Sequence, residues 1–145
     1  MRKLTALAVV AMAALVLSAV VLAAPQVASW STKLTAAQEI PKQAVKTPAA
    51  HGAFTATLKG KKLTWKLTFS RLSGPATAAH IHMAGMGKAG GVVVALCGPC
   101  KSGVSGTATV PTAVLKAFPK HLLYVNVHTA KNPNGEIRGQ IRKSS

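Results

Sequence analysis

The 145-residue sequence contains no aspartate, and its only acidic residues are Glu39 and Glu136. That scarcity closes off several kinds of chemistry. Glycoside hydrolysis of the common type needs two carboxyl groups flanking one bond, and both glutamates have structural explanations given below. Two-metal hydrolysis and calcium binding are starved of oxygen ligands for the same reason. A Ser-His-Asp triad lacks its aspartate, and no G-x-S-x-G elbow occurs. Aromatic residues are also few, with a single Tyr, so no basic run carries rings on which bases could stack. What the chain has instead is positive charge: 18 Lys plus Arg and a formal charge of +16. Beyond Lys3 the lysines are spread from Lys33 to Lys143, many at turns or on the polar side of a strand. This pattern describes a solvated basic surface whose partners would be an anionic polysaccharide, a lipid surface or a protein, with no specific nucleic-acid site.

The first residues, Met1-Arg2-Lys3, are followed by an uncharged run from Leu4 to Ala24. Positive residues, an apolar stretch and a small-x-small site at Val21-Leu22-Ala23 describe a secretory signal peptide over residues 1–23. The run is also long enough to serve as an uncleaved anchor, since about 20 residues span a bilayer. Either way the expectation is a secreted or periplasmic protein, with residues 24–145 forming one domain.

Within that domain the apolar period is two almost throughout. Phe54, Ala56 and Leu58 alternate with Thr55 and Thr57, and Leu63, Trp65, Leu67 and Phe69 alternate with Thr64, Lys66, Thr68 and Ser70. Such alternation marks strands with one buried and one wet face. The Gly-containing turn Lys59-Gly60-Lys61-Lys62 between them predicts a β-hairpin. Further strands are expected over 30–34, 77–83, 91–96, 103–110, 122–129 and 136–141, the last pair joined by Asn132-Pro133-Asn134-Gly135. Only 111–118 has helical spacing, opening on Pro111. No strand-helix-strand unit repeats, and Gln38 to Ala50 reads as an irregular crossing loop. The expected fold is all-β, an antiparallel Greek-key-like β-sandwich of about eight strands with one short helix.

The densest set of ligand-type side chains is the stretch "AAHIHMAGMGKAGG". His80 and His82 are two apart on an expected strand, so both point to one face and Ile81 to the other. Met83 and Met86 follow at once, and imidazole with thioether is a soft set suited to copper, Cu(I) in particular and Cu(II) as well, more than to magnesium or calcium. His128 ends the "LLYVNVHT" strand in phase with Asn126 and Tyr124, and would join the two histidines if the strands pair. The rival reading of these residues is structural, with histidines bonded to backbone and methionines filling gaps. His51 and His121 have no partner motif and read as surface residues. The only cysteines, Cys97 and Cys100, form "CGPC". Thioredoxin-type reactivity needs its first cysteine at a helix N-terminus. Cys97 instead ends a β-branched strand and "KSGVSG" leads into another, so a disulfide that fixes a turn is expected in an exported chain.

The segments "LTAAQEIP", "HGAFTATLKGKKLTWKLTFSRLSGPATAAHIH", "VVVALCGPC", "GTATV" and "LLYVNVHTAKNPNGEIRGQI", taken in order, resemble the CHRD domain, the module first recognised in chordin and common in secreted bacterial proteins. The resemblance covers residues 30–142. It implies an extracellular or periplasmic β-sandwich, and for small microbial members it names a fold better than an activity. It places His80, His82, His128, Asn132, Gly135, Glu136 and Arg138 at signature positions. Glu136 and Arg138, two apart on one face, would pair or brace the Asn132–Gly135 turn, and Glu39 would satisfy backbone donors where the first strand ends. The sequence departs from the family pattern after His-x-His, where Met-Ala-Gly-Met replaces a Gly-Pro type loop. A His-x-His on a β-sandwich also resembles copper/zinc superoxide dismutase, but no aspartate exists for its zinc half-site. The functional expectation is a non-enzymatic exported binding module capturing copper through the His-x-His-Met cluster. The alternative is an adhesive, matrix or protein-interaction domain using the basic surface. A dismutase-like or dithiol redox enzyme ranks below both.

Overall fold

The structure, a computed structural model, describes residues 26–145. The proposed signal or anchor segment over residues 1–23 lies outside the described residues. Nine strands form: β1 (Val27–Thr35), β2 (His51–Lys59), β3 (Lys62–Ser70), β4 (Ala76–Met83), β5 (Val92–Cys97), β6 (Ser105–Thr109), β7 (Leu123–Thr129), β8 (Ile137–Gln140) and β9 (Arg142–Lys143). Among the described residues one α-helix, α1 (Thr112–Ala117), starts after Pro111. Pro111 is the extended N-cap (ψ 157°), a position where its missing N–H costs no helical hydrogen bond. Two short elements were not foreseen, β9 and a 3-10 turn over Ala36–Gln38.

Every strand pairing is antiparallel. The strands form one continuous sheet in the order β5-β4-β7-β8-β1-β2-β3-β6, curled into a nearly closed barrel-like shape. The two halves expected of a sandwich are therefore joined rather than separate. The seam is narrow: β8 meets β1 only at Thr35 opposite Arg138, and β9 continues the contact at Trp30 and Ser31.

The core lies between the two curved halves. From one come Trp30, Leu34, Phe54, Leu63, Trp65 and Leu67, and from the other Ile81, Leu123, Val125, Val127 and Ile137. These are the alternate residues of their strands, so the period-two pattern is what closes the barrel. Each fully buried Leu, Ile or Phe contributes about 1.5–3 kcal/mol in lost water contact. Phe118, just past α1, stops one end of the core with its ring 5.0 Å from that of Trp30.

On β2 and β3 the polar residues face solvent, as alternation predicts. On β7 and β8 they do not. Tyr124, Asn126, Arg138 and Gln140 point away from the core yet are 2–5% exposed. Two segments cover them, the crossing loop after the 3-10 turn and the glycine-rich loop over residues 84–91. Val45 is tied by both its N–H and its carbonyl to the Asn132 side chain, at 2.8 and 3.0 Å. Gln140 donates to the Ala84 carbonyl at 2.9 Å, and Arg138 to that of Gly85 at 3.3 Å.

Candidate metal centre

The histidines gather through register. On β4, His80 and His82 lie opposite Asn126 and Tyr124 of β7, and His128 lies opposite Ala78. His80 and His128 are thus diagonal neighbours on one face, close enough for ring contact. The small Ala78 beside them leaves room. Register shifts between β4 and β5 flank both histidines, at Ala79/His80 and Ile81/His82, and such irregularities re-aim side chains at functional positions.

One nitrogen from each of His80, His82 and His128 lies within 4.8 Å of the others. His80 Nδ1 and His128 Nε2 are 3.1 Å apart. In a tetrahedral site with bonds of 2.0–2.1 Å, donor atoms stand about 3.3 Å apart, so this pair already has ligand spacing. The widest separation in the trio exceeds that value by at most about 1.5 Å.

Backbone carbonyls set the tautomers. His82 Nδ1 donates to the Gly90 carbonyl at 2.9 Å, and His128 Nδ1 donates to the Pro133 carbonyl at 2.8 Å. A carbonyl can only accept, so both rings keep their lone pair on Nε2. His82 Nε2 is buried and has no hydrogen-bond partner. A bare, buried imidazole nitrogen whose opposite nitrogen is fixed by a carbonyl is the arrangement of a metal ligand with its outer support. Burial, then the neighbouring His128 and His82, lowers the pKa of His80. Burial also lowers that of His128, against the raising effect of its bond to Pro133. Neutral rings are the form that binds metal.

The methionines do not join this group. Met83, next in the strand, turns to the opposite side and packs against the hydrophobic core, as strand alternation requires. Met86 is 67% exposed. It lines a cleft of about 180 Å³ with Arg138 and Gln140. His51 is exposed on β2. His121 is partly covered and lends its carbonyl to Gln140 at 2.8 Å.

Around the histidines lies a covered polar layer that strand patterning alone did not single out. The Tyr124 ring stacks on His82 at 4.9 Å with 10° between planes. On Tyr124 rests the Arg138 guanidinium, 3.5 Å from the ring centroid. Tyr124 also accepts from the Gly90 N–H at 3.1 Å, so Tyr124 and His82 hold the same glycine. A Cβ on Gly90 would lie 2.0 Å from the Met83 carbonyl oxygen, so only glycine lets the loop come this close.

A family model for the CHRD domain matches residues 30–141. The chain belongs to the CHRD domain family. No curated protein and no solved structure matches it. The signature residues of this CHRD domain now have positions. Glu136 and Arg138 share the outer face but do not pair. Glu136 accepts from the Ser73 N–H at 2.5 Å, the Ser73 hydroxyl at 2.6 Å, Thr129 at 2.5 Å and Asn132 at 3.2 Å. Burial opposes its ionisation, but those hydrogen bonds together outweigh burial and lower its pKa. Its role is to brace the β7–β8 turn, and Ser73 and Thr129 are the partners that spacing could not reveal.

Glu39 is placed differently from the expected strand-end cap. It is fully buried against the Asn132–Gly135 turn, and neither oxygen has a well-formed hydrogen bond. Burial pushes its pKa up to about 8, against the lowering effects of Arg138, Asn126, the Ile40 N–H and Lys42. Gly135 has φ of +133°, and a Cβ there would stand 2.5 Å from Glu39 Oε2 and 2.7 Å from Asn126 Nδ2. Cys97 and Cys100 form the expected disulfide, with Cα atoms 5.3 Å apart. Cys100 also bridges to Ala76 at the start of β4, so the staple fixes the loop after β5 onto the strand that carries His80 and His82.

Proposed function

We propose that this CHRD domain is a non-enzymatic binding module that captures copper, as Cu2+, outside the cytoplasm through His80, His82 and His128. The observation that carries the reading is the convergence of three imidazoles, two of them with backbone carbonyls holding the lone pair on Nε2. Three nitrogen donors leave at least one coordination position for water or an exogenous ligand. Imidazole suits both zinc and copper, and among first-row divalent ions Cu2+ binds such sites most tightly. With Met83 on the core side and Met86 exposed, the donor set is nitrogen only, which favours Cu2+ over Cu(I).

The non-enzymatic part rests on the family and on the acids. CHRD is a binding-type family. Glu136 is engaged by four hydrogen bonds and Glu39 lies fully buried, so neither stands ready to serve a metal-bound water as a base. Export is supported by the apolar N-terminal run and by the Cys97–Cys100 bridge, since disulfides persist in oxidising compartments. Calorimetric titration with Cu2+ and Zn2+, on the natural protein and a His80→Ala/His82→Ala variant, tests the site. Stoichiometric Cu2+ binding that the variant loses is expected. An unchanged affinity in the variant overturns the proposal, and tighter Zn2+ than Cu2+ binding overturns the choice of copper.

A further inference from the structure

A second surface of the molecule has a composition unlike the rest. The strand register puts Ser29, Thr57, Thr64 and Thr107 side by side across β1, β2, β3 and β6. The next row reads Arg142, Ser31, Thr55, Lys66 and Ser105, with Arg142 supplied by β9. Lys33 lies in the row beyond, and Lys59 and Lys62 face each other in the row before. All of these are on the side away from the core, where Trp30, Phe54, Leu63 and Trp65 point inward. Strands stand about 4.8 Å apart and successive same-face residues about 6.7 Å, so this face is a grid of hydroxyls studded with cations.

Three features narrow what such a face can hold. Among the described residues no acidic side chain reaches the surface, because Glu39 and Glu136 are both 0% exposed. An approaching polyanion therefore meets attraction and no local repulsion. The four rows carry no aromatic ring, His51 opposite Thr35 is the one imidazole on this face, and Val27 is the only large apolar side chain beside the rows. Bases have no ring platform to stack on within the rows, and a bilayer has only Val27 to take up. Finally, the face is shallowly troughed. One open depression of about 460 Å³ runs across Ser29, Thr55, Thr57, Thr64, Lys66 and Ser105, and another of about 440 Å³ lies beside it over Lys33, Thr35 and Thr68. Hydroxyl rows can exchange hydrogen bonds with sugar hydroxyls while the cations meet acidic groups.

We infer that the outer face of β1, β2, β3 and β6 is a docking surface for an anionic polysaccharide. The surface lies on the half of the barrel that does not carry His80, His82 and His128, and its docking role does not depend on metal binding. Immobilised polygalacturonate, with neutral dextran and phosphatidylglycerol vesicles alongside, serves as probe for the full chain. The natural protein should bind polygalacturonate at low salt, ignore dextran and bind the vesicles more weakly, with affinity falling as ionic strength rises. Lys59→Gln/Lys62→Gln/Lys66→Gln should weaken binding about tenfold. Lys88→Gln/Lys116→Gln/Lys131→Gln removes the same charge from exposed positions off this face and should cost less than about threefold. Thr57→Val/Thr64→Val, which leaves the charge unchanged, should also weaken binding. Equal losses in the two lysine triples, an unaffected valine variant, or tighter binding to the vesicles than to polygalacturonate would each overturn the assignment.

Discussion

Replacing Glu39 by glutamine separates two states of the buried acid. If Glu39 is a neutral carboxylic acid at pH 7, glutamine is close to an isostere. If it is ionised and held by Arg138, glutamine removes one half of a charge pair. The pKa of about 8, raised from 4.5, makes the first state the expected one. The folded protein then binds a proton that the unfolded chain releases above pH 4.5, so the contribution is fully present below that pH and is lost as pH rises through 8. At 1.36 kcal/mol per pKa unit, the loss between pH 5 and 7 is about 2.5 kcal/mol, and between pH 5 and 9 about 4 kcal/mol. That is a large share of the roughly 5–15 kcal/mol that holds a domain together. The assay is urea unfolding of both proteins at matched pH values from 5 to 9, read as the difference between them. Subtraction matters because His80 and His128, whose pKa values are lowered, give the opposite slope near and below pH 6.5 in both proteins. The glutamine variant should gain on the natural protein steadily as pH rises. A difference that stays flat from pH 5 to 9 would show Glu39 ionised throughout and rule out the neutral acid.

Gly135→Ala should cost at least 2 kcal/mol or so in chemical unfolding, because its Cβ meets Glu39 and Asn126 at 2.5 and 2.7 Å. Gly60→Ala, with positive φ but nothing within 4 Å, should cost only about 1 kcal/mol, and equal losses would show that the close approach at Gly135 does not matter. Gly90→Ala should lower Cu2+ affinity about 10- to 100-fold, since displacing the Gly90 carbonyl frees the His82 ring; titration with unchanged affinity would count against that support. Cys97→Ser/Cys100→Ser should lower stability by only about 2 kcal/mol, the loop-closure value for so short a ring, while leaving metal binding intact.

Most of the fold was legible because β2 and β3 alternate without interruption, and a strand with one dry face has few other ways to fold. The short elements were not. A two-residue strand such as β9 shows no period, and its pairing with β1 is decided by where the chain lies after β8 closes the seam. Nor does alternation distinguish two packed sheets from one curled sheet, since both bury the same residues. The joining contacts are Thr35–Arg138 and the two pairs that β9 adds at Trp30 and Ser31, and nothing local to these residues announces them.

The histidine convergence was legible in part, because His80, His82 and His128 share strand phase with their neighbours and the register then brings them together. Their carbonyl supports were not, since Gly90 and Pro133 act through backbone and any residue type has a carbonyl. Met83 shows the limit of reading by proximity in sequence: one step along a strand reverses the face, so the residue beside a ligand is the one least able to join it. The covered layer behind the site did leave a trace. Polar positions that meet water on β2 and β3 are mostly Thr and Lys, whereas those under the loops on β7 and β8 are Tyr, Asn, Arg and Gln. The second set has planar groups with fixed donor and acceptor directions, which can be satisfied inside a protein, while an ammonium on a flexible stem is better left in water. Equal alternation thus hides unequal chemistry. The identity of the polar residues separates a face that holds an internal network behind three histidines from a face that meets water.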